Sequence, residues 1–334
     1  MSILEWAGYE AAGTKAQTSG MTVAGKSYTD TFGPNSVTYT YIVDDDQALQ
    51  KATTGGPFDL LHPCHENIKD YVDRKLVQPW DTSLLASFNE LNPFLVKQGQ
   101  MNGKQYMIPW DWGYGSLLYR TDKIDPADAT GWELAWNSKY SGKISLWSGA
   151  STNFEIAALK NNFPHMDLLT SSQLSTAKQD LITQKPLNKF YWAAEYTQMQ
   201  PAFKSGDIWV AYTWQDTLVA MQAAGLKVAF MQPSQGRLSW FCGFMLGANT
   251  ANYHHAHEYV QSFINKDACA QMTNAFYYGT SNIMVTPADI QNTALAASLD
   301  LGNPHAISAP NVHLQSWTPQ RPQIELAWQE VKSS

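Results

Sequence analysis

Short apolar strands alternate with helical segments along the first part of the chain, and this order constrains the fold more than any other feature. The opening Ile3–Tyr9 and the β-branched, aromatic-rich Val37–Val43 are predicted strands. A helix with an acidic first turn is predicted over Asp44–Lys51. A third strand, Phe58–His62, and a helix over residues 67–76 follow. Because strands joined through helices pair in parallel, the sequence predicts an α/β fold with a mixed, mainly parallel sheet flanked by helices.

The same order returns in the middle of the chain. Lys143–Trp147 is a predicted strand, and the helix after it is predicted to begin with a capping box of Thr152 and Glu155. Asp207–Tyr212 is another predicted strand, and Asp216–Gly225 is a predicted helix that ends at its glycine. The chain has 334 residues and no flexible linker between the two series. We therefore expect two α/β lobes that are interleaved in sequence.

Charge and hydropathy exclude several classes of protein. The net charge of -7 argues against nucleic acids and anionic membranes as partners, because both select for an excess of Lys and Arg. No apolar run approaches the ~20 residues that span a bilayer. The chain opens without the basic and apolar regions of a signal peptide, so we expect a mature domain from which any signal peptide has been removed. A cytoplasmic protein would open in the same way.

The three cysteines and the usual catalytic signatures point away from an enzyme. Cys64, Cys242 and Cys269 cannot all pair within the chain and match no zinc-site spacing, so we expect no disulfide framework and at least one free thiol. The sequence contains no nucleophile elbow, no phosphate-binding loop and no dinucleotide-binding glycine motif. No catalytic residue and no cofactor are therefore predicted.

Two histidine-containing clusters lack the arrangement of a metal site. His62, Cys64 and His65 lie on an extended segment, where alternate side chains point apart, and no second set of ligands is evident. Residues 254–257 contain three histidines at the start of a predicted helix, and we expect them to be surface residues of its first turn. No metal is predicted at either place.

Aromatic residues beside isolated carboxylates follow several of the predicted strands. The chain has 13 Trp and 16 Tyr, and they are densest in Trp110–Gly115, Tyr212–Asp216 and Leu238–Gly243. Ligands of open α/β sheets bind beyond the carboxyl ends of the strands. Such a site suits a cationic amine, because each aromatic face contributes about 0.5–2 kcal/mol through cation–π attraction and a carboxylate adds a charge-assisted hydrogen bond. For any single ring, a place in the hydrophobic core is the alternative interpretation.

Taken in order, these segments resemble the polyamine-binding proteins of bacterial ABC importers, which have the type II periplasmic binding protein fold. The likeness extends over nearly the whole chain. Its parts are Trp6–Tyr9, Phe58–Pro63, Leu91–Pro93, Tyr106–Gly113, Phe203–Ile208, Trp214, Trp240 and Tyr278–Asn282.

The resemblance implies a protein without catalytic chemistry that closes on a solute. Its two lobes would be residues 1–112 with 243–285, and residues 113–242 with 286–334, joined by two crossing hinge segments. Closure by hinge motion would trap a small solute. The resemblance also implies delivery to the membrane permease of an ABC transporter, and we expect a monomer.

The resemblance further suggests which residues bind the solute. Trp6, Tyr9, Trp214, Trp240 and Tyr278 match pocket aromatics of the family. The remaining predicted ligand-binding residues are Cys64, Asp111, Trp112, Thr152, Asn153, Asp216 and Cys242.

This chain also departs from the family. Gly8, Cys242 and the turn of residues 148–153 stand where polyamine binders usually carry acidic residues. A long polyamine would then leave an ammonium unpaired, at a cost of several kcal/mol. An acid-free helix start at Ser151–Asn153 favours a carboxylate instead. We therefore expect an ω-amino acid such as γ-aminobutyrate, with its amine near Asp216.

Arg237 or Arg321 is expected to assist in holding the carboxylate of such a zwitterion.

Two other interpretations of the sequence remain open. A sugar- or opine-type solute-binding protein of the same fold is the main alternative, because tryptophan-rich clefts also hold sugars. A glycoside hydrolase using Asp111 and Asp216 as its carboxylate pair is more distant, since nothing in the sequence distinguishes an acid from a base.

Overall fold

A computed structural model of the protein describes residues 1–6, 9, 33, 35–193 and 198–334. The described strands are β1 Ser2–Trp6, β2 Thr38–Ile42, β3 Leu60–Leu61, β4 Val77–Gln78, β5 Gln100–Met101, β6 Lys104–Gln105, β7 Met107–Arg120, β8 Ile144–Trp147, β9 Asn188–Trp192, β10 Val210–Thr213, β11 Val228–Phe230, β12 Arg237–Gly247, β13 Gly279–Thr280 and β14 Val312–Leu314. The described helices are α1 Asp45–Thr54, α2 Ile68–Asp73, α3 Pro93–Gln98, α4 Ala150–Lys160, α5 Ser171–Gln184, α6 Met199–Ser205, α7 Gln215–Ala223, α8 Tyr253–Ile264, α9 Lys266–Phe276, α10 Thr293–Leu299 and α11 Arg321–Ser333. None of these described helices is long and apolar enough to cross a membrane.

The chain forms two compact units. The first contains Met1–Gly113 and Trp240–Ser308, and the second contains Tyr114–Ser239 and Ala309–Ser334. Compared with the lobes suggested by the resemblance, the first unit also includes Gly113, residues 240–242 and the longer segment of residues 286–308. This segment is held there in part by a hydrogen bond of 2.8 Å from the Asn92 side-chain amide to the Pro304 carbonyl.

The sheet of the first unit is built on β1, which pairs in parallel with β2 on one side and with β3 on the other. Its register sets Ile3 opposite Leu60 and Leu4 opposite Leu61. Strand β12 lies antiparallel on the far side of β3. Because β1 and β3 run the same way, the residues that follow Leu4 and Leu61 reach the same edge of the sheet.

Aromatic rings fill the core of this unit. The Trp110 ring lies 5.4 Å from Phe244 and 5.1 Å from Phe263, and Phe263 lies 4.6 Å from Tyr259, measured between ring centroids. Gly243 allows β12 to approach closely here, since a Cβ atom at this position would collide with the Ile108 carbonyl. Packing of this density explains why any larger residue at 243 would push the strand away.

The second unit has a sheet of its own in which β8 runs parallel to both β9 and β10. Strand β7 pairs antiparallel with β10 and with β11. The three parallel strands end at Trp147, Trp192 and Thr213. Their carboxyl ends therefore share one edge of this sheet, where a ligand site is expected.

The predicted strands and helices of both series form, although their bounds are shorter in places. One detail is wrong, because α4 begins at Ala150 with Gly149 as its N-cap and no capping box involves Thr152 and Glu155. The Asn153 amide donates hydrogen bonds of 2.7 Å to the carbonyls of Trp147 and Gly149. The N-cap therefore lies three residues earlier than predicted, and Glu155 is buried.

The cysteines were expected to form no disulfide framework, and the structure contains one disulfide bond. Cys64 and Cys242 form a disulfide within the first unit, with their Cα atoms 3.9 Å apart. The segment after β3 and strand β12 form an isolated antiparallel bridge at these two residues, which brings them together across a sequence separation of 178. Cys269 is free and buried, in agreement with the prediction of at least one free thiol.

The sequence predicted that all three histidines at the start of α8 are surface residues, but one of them is buried. His254 and His255 are exposed, but His257 is buried. The His257 Nδ1 donates to the Tyr253 carbonyl at 2.8 Å, and its ring packs edge-on against Trp80. The helical face that carries Ala256 and Val260 also includes position 257, and this explains its burial.

We predict that reducing agent destabilises the first unit. A disulfide closing so long a loop contributes about 2–4 kcal/mol by constraining the unfolded chain. Thermal unfolding of the wild type should shift to lower temperature in the presence of a phosphine reductant. The double variant C64A/C242A should unfold at the lower temperature with or without reductant. C269A serves as the control and should keep the sensitivity of the wild type, and equal melting of the wild type in both conditions would contradict the prediction.

Candidate functional site

A buried charge cluster lies at the edge of the first unit where β1 and β3 end. His62 Nδ1 donates to Glu5 Oε1 at 2.6 Å, and His62 Nε2 lies 3.4 Å from Asp111 Oδ1. The relative exposures of Glu5, His62 and Asp111 are 2%, 0% and 1%. The parallel register of β1 and β3 explains the first contact, since Glu5 and His62 directly follow the paired residues Leu4 and Leu61. We call Glu5, His62 and Asp111 the buried triad.

Electrostatics keep the central histidine charged. Burial alone would lower the pKa of His62, but the charge of Glu5 and the hydrogen bonds with Asp111 and Glu5 raise that pKa to about 10. By formal charge, the two acidic side chains of the triad outnumber its one imidazolium, an excess of one negative charge. Within the described residues, His62 is the only cation within 4.0 Å of either carboxylate.

Tyr9 covers this cluster. Its hydroxyl donates to Asp111 Oδ2 at 2.7 Å, and the Tyr9 side chain is only partly buried. The ring stacks on Phe276 with centroids 4.7 Å apart and meets the His62 and Trp110 rings edge-on. Burial, followed by the charge of Asp111, raises the pKa of the Tyr9 hydroxyl well above its usual value, so it stays protonated as a donor.

Three more predicted aromatics of the first unit are partly buried and lie near its strand ends. Trp240 and Tyr278 meet edge-on with centroids 5.0 Å apart. Gly113 lies directly against the Trp240 indole, so that a side chain at 113 would displace the ring. Trp6 is the last residue of β1. Within the part of the chain that the structure describes, the indole nitrogens of Trp6 and Trp240 have no hydrogen-bond partner.

Three other predicted ligand-binding residues of the first unit, Trp112, Cys64 and Cys242, contact other parts of the same unit. Trp112 is buried, and its indole donates to the Thr280 carbonyl at 2.8 Å while packing on Gly279. Cys64 and Cys242 are bonded to each other and cannot offer thiol groups to a ligand. Gly8, the position where polyamine binders usually carry an acid, lies outside the described residues.

The second unit carries a tryptophan cluster at the carboxyl ends of β8, β9 and β10. Trp147, Trp192 and Trp214 meet edge-on in all three pairs, with centroids 4.6 to 5.4 Å apart. Trp192 is buried and donates to the Tyr212 carbonyl at 3.0 Å, whereas Trp147 and Trp214 are partly exposed. Trp147 and Trp192 were missed by the sequence analysis, although each ends a strand.

The predicted polar residues of the second unit lie at two helix starts. Asp216 is a partly exposed acid in the first turn of α7. The first turn of α4 carries no acid, and its Ser151 and Thr152 are partly exposed. Asn153 is buried, and its amide nitrogen donates to the two carbonyls described above, while its Oδ1 has no hydrogen-bond partner among the described residues.

Arg237 was expected to assist at the same end of the solute. It is buried, and its guanidinium lies 3.6 Å from the centroid of the Tyr114 ring. This contact stacks the cation on an aromatic face inside the second unit. Arg321 lies in the first turn of α11.

Glu155 is an ionisable group that the sequence analysis treated only as a cap. It is buried in α4 and accepts a hydrogen bond of 2.7 Å from the Gln315 amide. Burial raises the pKa of Glu155 to about 7, while the Gln315 bond acts in the opposite direction. The sequence gave no indication that Glu155 is buried, because an acid in the first turn of a helix is ordinarily a capping residue.

The histidine clusters do not converge on a common point. His62 pairs with Glu5, Cys64 is in the disulfide, and His65 stacks on Phe241 with centroids 4.4 Å apart. Across the described ranges, no group of three or more His, Cys, Asp or Glu side chains is placed to hold a metal ion.

Comparison with known proteins assigns the family. The model of the bacterial extracellular solute-binding protein family matches residues 9–297. The chain belongs to this family. It is therefore a solute-binding protein and not an enzyme, and its fold is that of the type II periplasmic binding proteins.

Relatives of this solute-binding protein include two Escherichia coli proteins. The spermidine/putrescine-binding periplasmic protein is 22% identical over 238 residues, covering 71% of this chain and 67% of its own. The putrescine-binding periplasmic protein PotF is 23% identical over 357 residues, covering 100% of this chain and 91% of its own.

Solved structures with the same fold have little sequence in common with this solute-binding protein. The TpPotD lipoprotein of Treponema pallidum superposes with a TM-score of 0.80 at 14% identity, over 99% of this chain and 98% of that one. A GABA receptor structure superposes with a TM-score of 0.75 at 16% identity, again over 99% and 98%. At this level of identity the likeness concerns the fold.

We predict that His62→Gln destabilises the solute-binding protein by about 3 kcal/mol at pH 7, because it leaves two buried carboxylates without their cation. The folded pKa of His62, about 10, lies above the unfolded value of 6.5, so its contribution is complete below pH 6.5 and declines as the pH rises toward 10. Urea unfolding at several pH values measures the difference. The exposed His305→Gln is the control, and equal stability of the wild type and H62Q would contradict the buried ion pair.

We predict that Glu155→Gln stabilises the protein, and that this gain grows as the pH rises. The folded pKa of Glu155, about 7, lies above the ordinary value of 4.5, so the wild type loses stability as the pH rises through 7. A glutamine keeps the bond to Gln315 without this loss. E155Q should gain up to about 2–3 kcal/mol over the wild type between pH 5 and pH 8.5 in urea unfolding. The exposed Glu330→Gln should show no such trend, and a pH-independent difference for E155Q would refute the raised pKa.

Proposed function

We propose that this protein captures a small amine-bearing solute in the bacterial periplasm, as a monomer, and delivers it to the membrane permease of an ABC importer. The main support for an amine-bearing solute is the position of Tyr9. Its aromatic side chain is partly exposed, and its hydroxyl is hydrogen-bonded to the buried carboxylate of Asp111. The names of the two Escherichia coli relatives, which specify polyamines and the periplasm, support the same class of solute and the same location.

The proposed solute-contacting residues are the partly exposed members of the predicted set. They are Trp6, Tyr9, Trp240 and Tyr278 in the first unit and Thr152, Trp214 and Asp216 in the second. Each aromatic face in contact with an ammonium contributes about 0.5–2 kcal/mol. A sugar would gain from stacking on these rings as well, but it would gain nothing from the excess negative charge of the buried triad.

A zwitterion suits the second unit better than a long polyamine. The first turn of α4 has the partly exposed residues Ser151 and Thr152 and no acid, which favours a carboxylate, whereas Asp216 in α7 supplies one negative charge for an amine. The solute with both groups is an ω-amino acid such as γ-aminobutyrate. A spermidine molecule carries three ammonium groups, and each one left unpaired would cost several kcal/mol.

We predict that γ-aminobutyrate raises the melting temperature of the purified protein in a concentration-dependent way, because a ligand that binds only the folded form stabilises it. Putrescine should stabilise it less, and spermidine and maltose least. Calorimetric titration with γ-aminobutyrate should show about tenfold weaker binding by Asp216→Asn, corresponding to one charge-assisted hydrogen bond.

Two outcomes would count against the proposal. Tight spermidine binding without γ-aminobutyrate binding would refute the hypothesis of a zwitterionic solute but would leave the hypothesis of an amine-bearing solute standing. Stabilisation by maltose alone, with Trp214→Ala more damaging than D216N, would refute the amine itself. Asp267→Asn is the matched control, because Asp267 is also an acid in the first turn of a helix but is exposed on α9 of the first unit.

A further inference from the structure

Asp111 is the carboxylate of the buried triad that binds the side chain of the partly exposed Tyr9. Its exposure of 1% means that a solute cannot touch it directly. Its Oδ2 accepts the Tyr9 hydroxyl at 2.7 Å, and its Oδ1 faces the His62 imidazolium at 3.4 Å. Each oxygen of the carboxylate thus faces a different donor, and Tyr9 lies between Asp111 and the surface of the unit.

The direction of the Tyr9 hydrogen bond follows from its partner. A carboxylate can only accept, so the single proton of the Tyr9 hydroxyl is directed inward. The hydroxyl oxygen keeps its lone pairs and can accept a hydrogen bond from a second group, but it has no proton left to donate. A bond to an ionised acceptor also increases the electron density on the phenol.

The charge of the buried triad also favours a hydrogen-bond donor with positive charge near Tyr9. Glu5 and Asp111 exceed His62 by one negative charge, and within the described residues no Lys or Arg approaches the two carboxylates within 4.0 Å. An ammonium near Tyr9 would therefore experience attraction from below the ring, and a carboxylate would experience repulsion. In a poorly solvated surrounding this difference is larger than in water.

We propose that Asp111 is a positioning and specificity-determining residue that acts through Tyr9. By accepting the Tyr9 hydrogen bond it leaves the hydroxyl oxygen able only to accept, so that Tyr9 favours an ammonium group over a carboxylate. The inference rests on the proposed amine-binding function and deepens it, because it names how the first unit distinguishes the two charged groups of a solute.

A double-mutant cycle tests the path through Tyr9. Wild type, Tyr9→Phe, Asp111→Asn and the double variant are titrated calorimetrically with putrescine and with γ-aminobutyrate. Y9F and D111N should each weaken binding about tenfold, and the double variant should bind no more weakly than the weaker single variant, since both changes remove the same acceptor. A merely structural role of Asp111 would give losses that multiply in the double variant.

Glu5→Gln is the matched control. It removes one negative charge from the same triad and leaves the hydrogen bond between Asp111 and Tyr9 in place. It should reduce the affinity less than D111N does. If E5Q and D111N weaken binding equally and independently of Tyr9, the effect is one of general charge and the inference is overturned.

Two further outcomes separate this inference from the function on which it rests. If the wild type binds putrescine or γ-aminobutyrate and D111N binds as tightly, the inference fails and the proposed function stands. If the wild type binds neither amine, both fail. Should D111N not fold, Y9F alone decides, because unchanged affinity for both amines in Y9F would exclude the hydroxyl acceptor.

Discussion

Removal of the Glu5, His62 and Asp111 side chains from water is the constraint on which the first unit depends. A buried carboxylate costs several kcal/mol unless a charge and hydrogen bonds compensate for it. The imidazolium between the two carboxylates supplies that charge, and the Tyr9 hydroxyl satisfies an oxygen that His62 does not reach. The cluster thereby couples the end of β1, the end of β3 and the middle of β7 to one aromatic side chain that reaches the surface.

The two units present different chemistry at the carboxyl ends of their parallel strands. In the first unit, aromatic rings lie over an excess negative charge that is itself hidden from solvent. In the second, a tryptophan cluster adjoins a partly exposed acid, Asp216, and an acid-free helix start at Ala150. The second unit thus offers one acid for an ammonium and an acid-free helix start for a carboxylate, and this is the physical reason for proposing a zwitterion over a polycation.

Local patterns in the sequence predicted much of the fold, and long-range contacts account for what they missed. Strands β1 and β2 follow from apolar and β-branched content, but β7 was not recognised, because Pro109, Gly113 and Gly115 look like interruptions of a strand. The strand-end rule located Tyr9 and Trp214 among partly exposed residues, yet Trp112 packs inward on Gly279, which comes from a distant segment. Glu5 and His62 are 57 positions apart in sequence, and Cys64 and Cys242 are 178 positions apart. Each pair is brought together by the register of distant strands, and no short motif encodes such a register.

The protonation state of His62 tests this account most directly. Nitrogen-15 NMR of the imidazole-labelled wild type at pH 8 distinguishes an imidazolium, with both ring nitrogens protonated, from a neutral ring with one proton. The account predicts that the buried histidine remains doubly protonated at pH 8, where an exposed histidine is neutral. A neutral His62 that titrates near pH 6.5 would contradict it, because the two carboxylates would then lack their compensating charge.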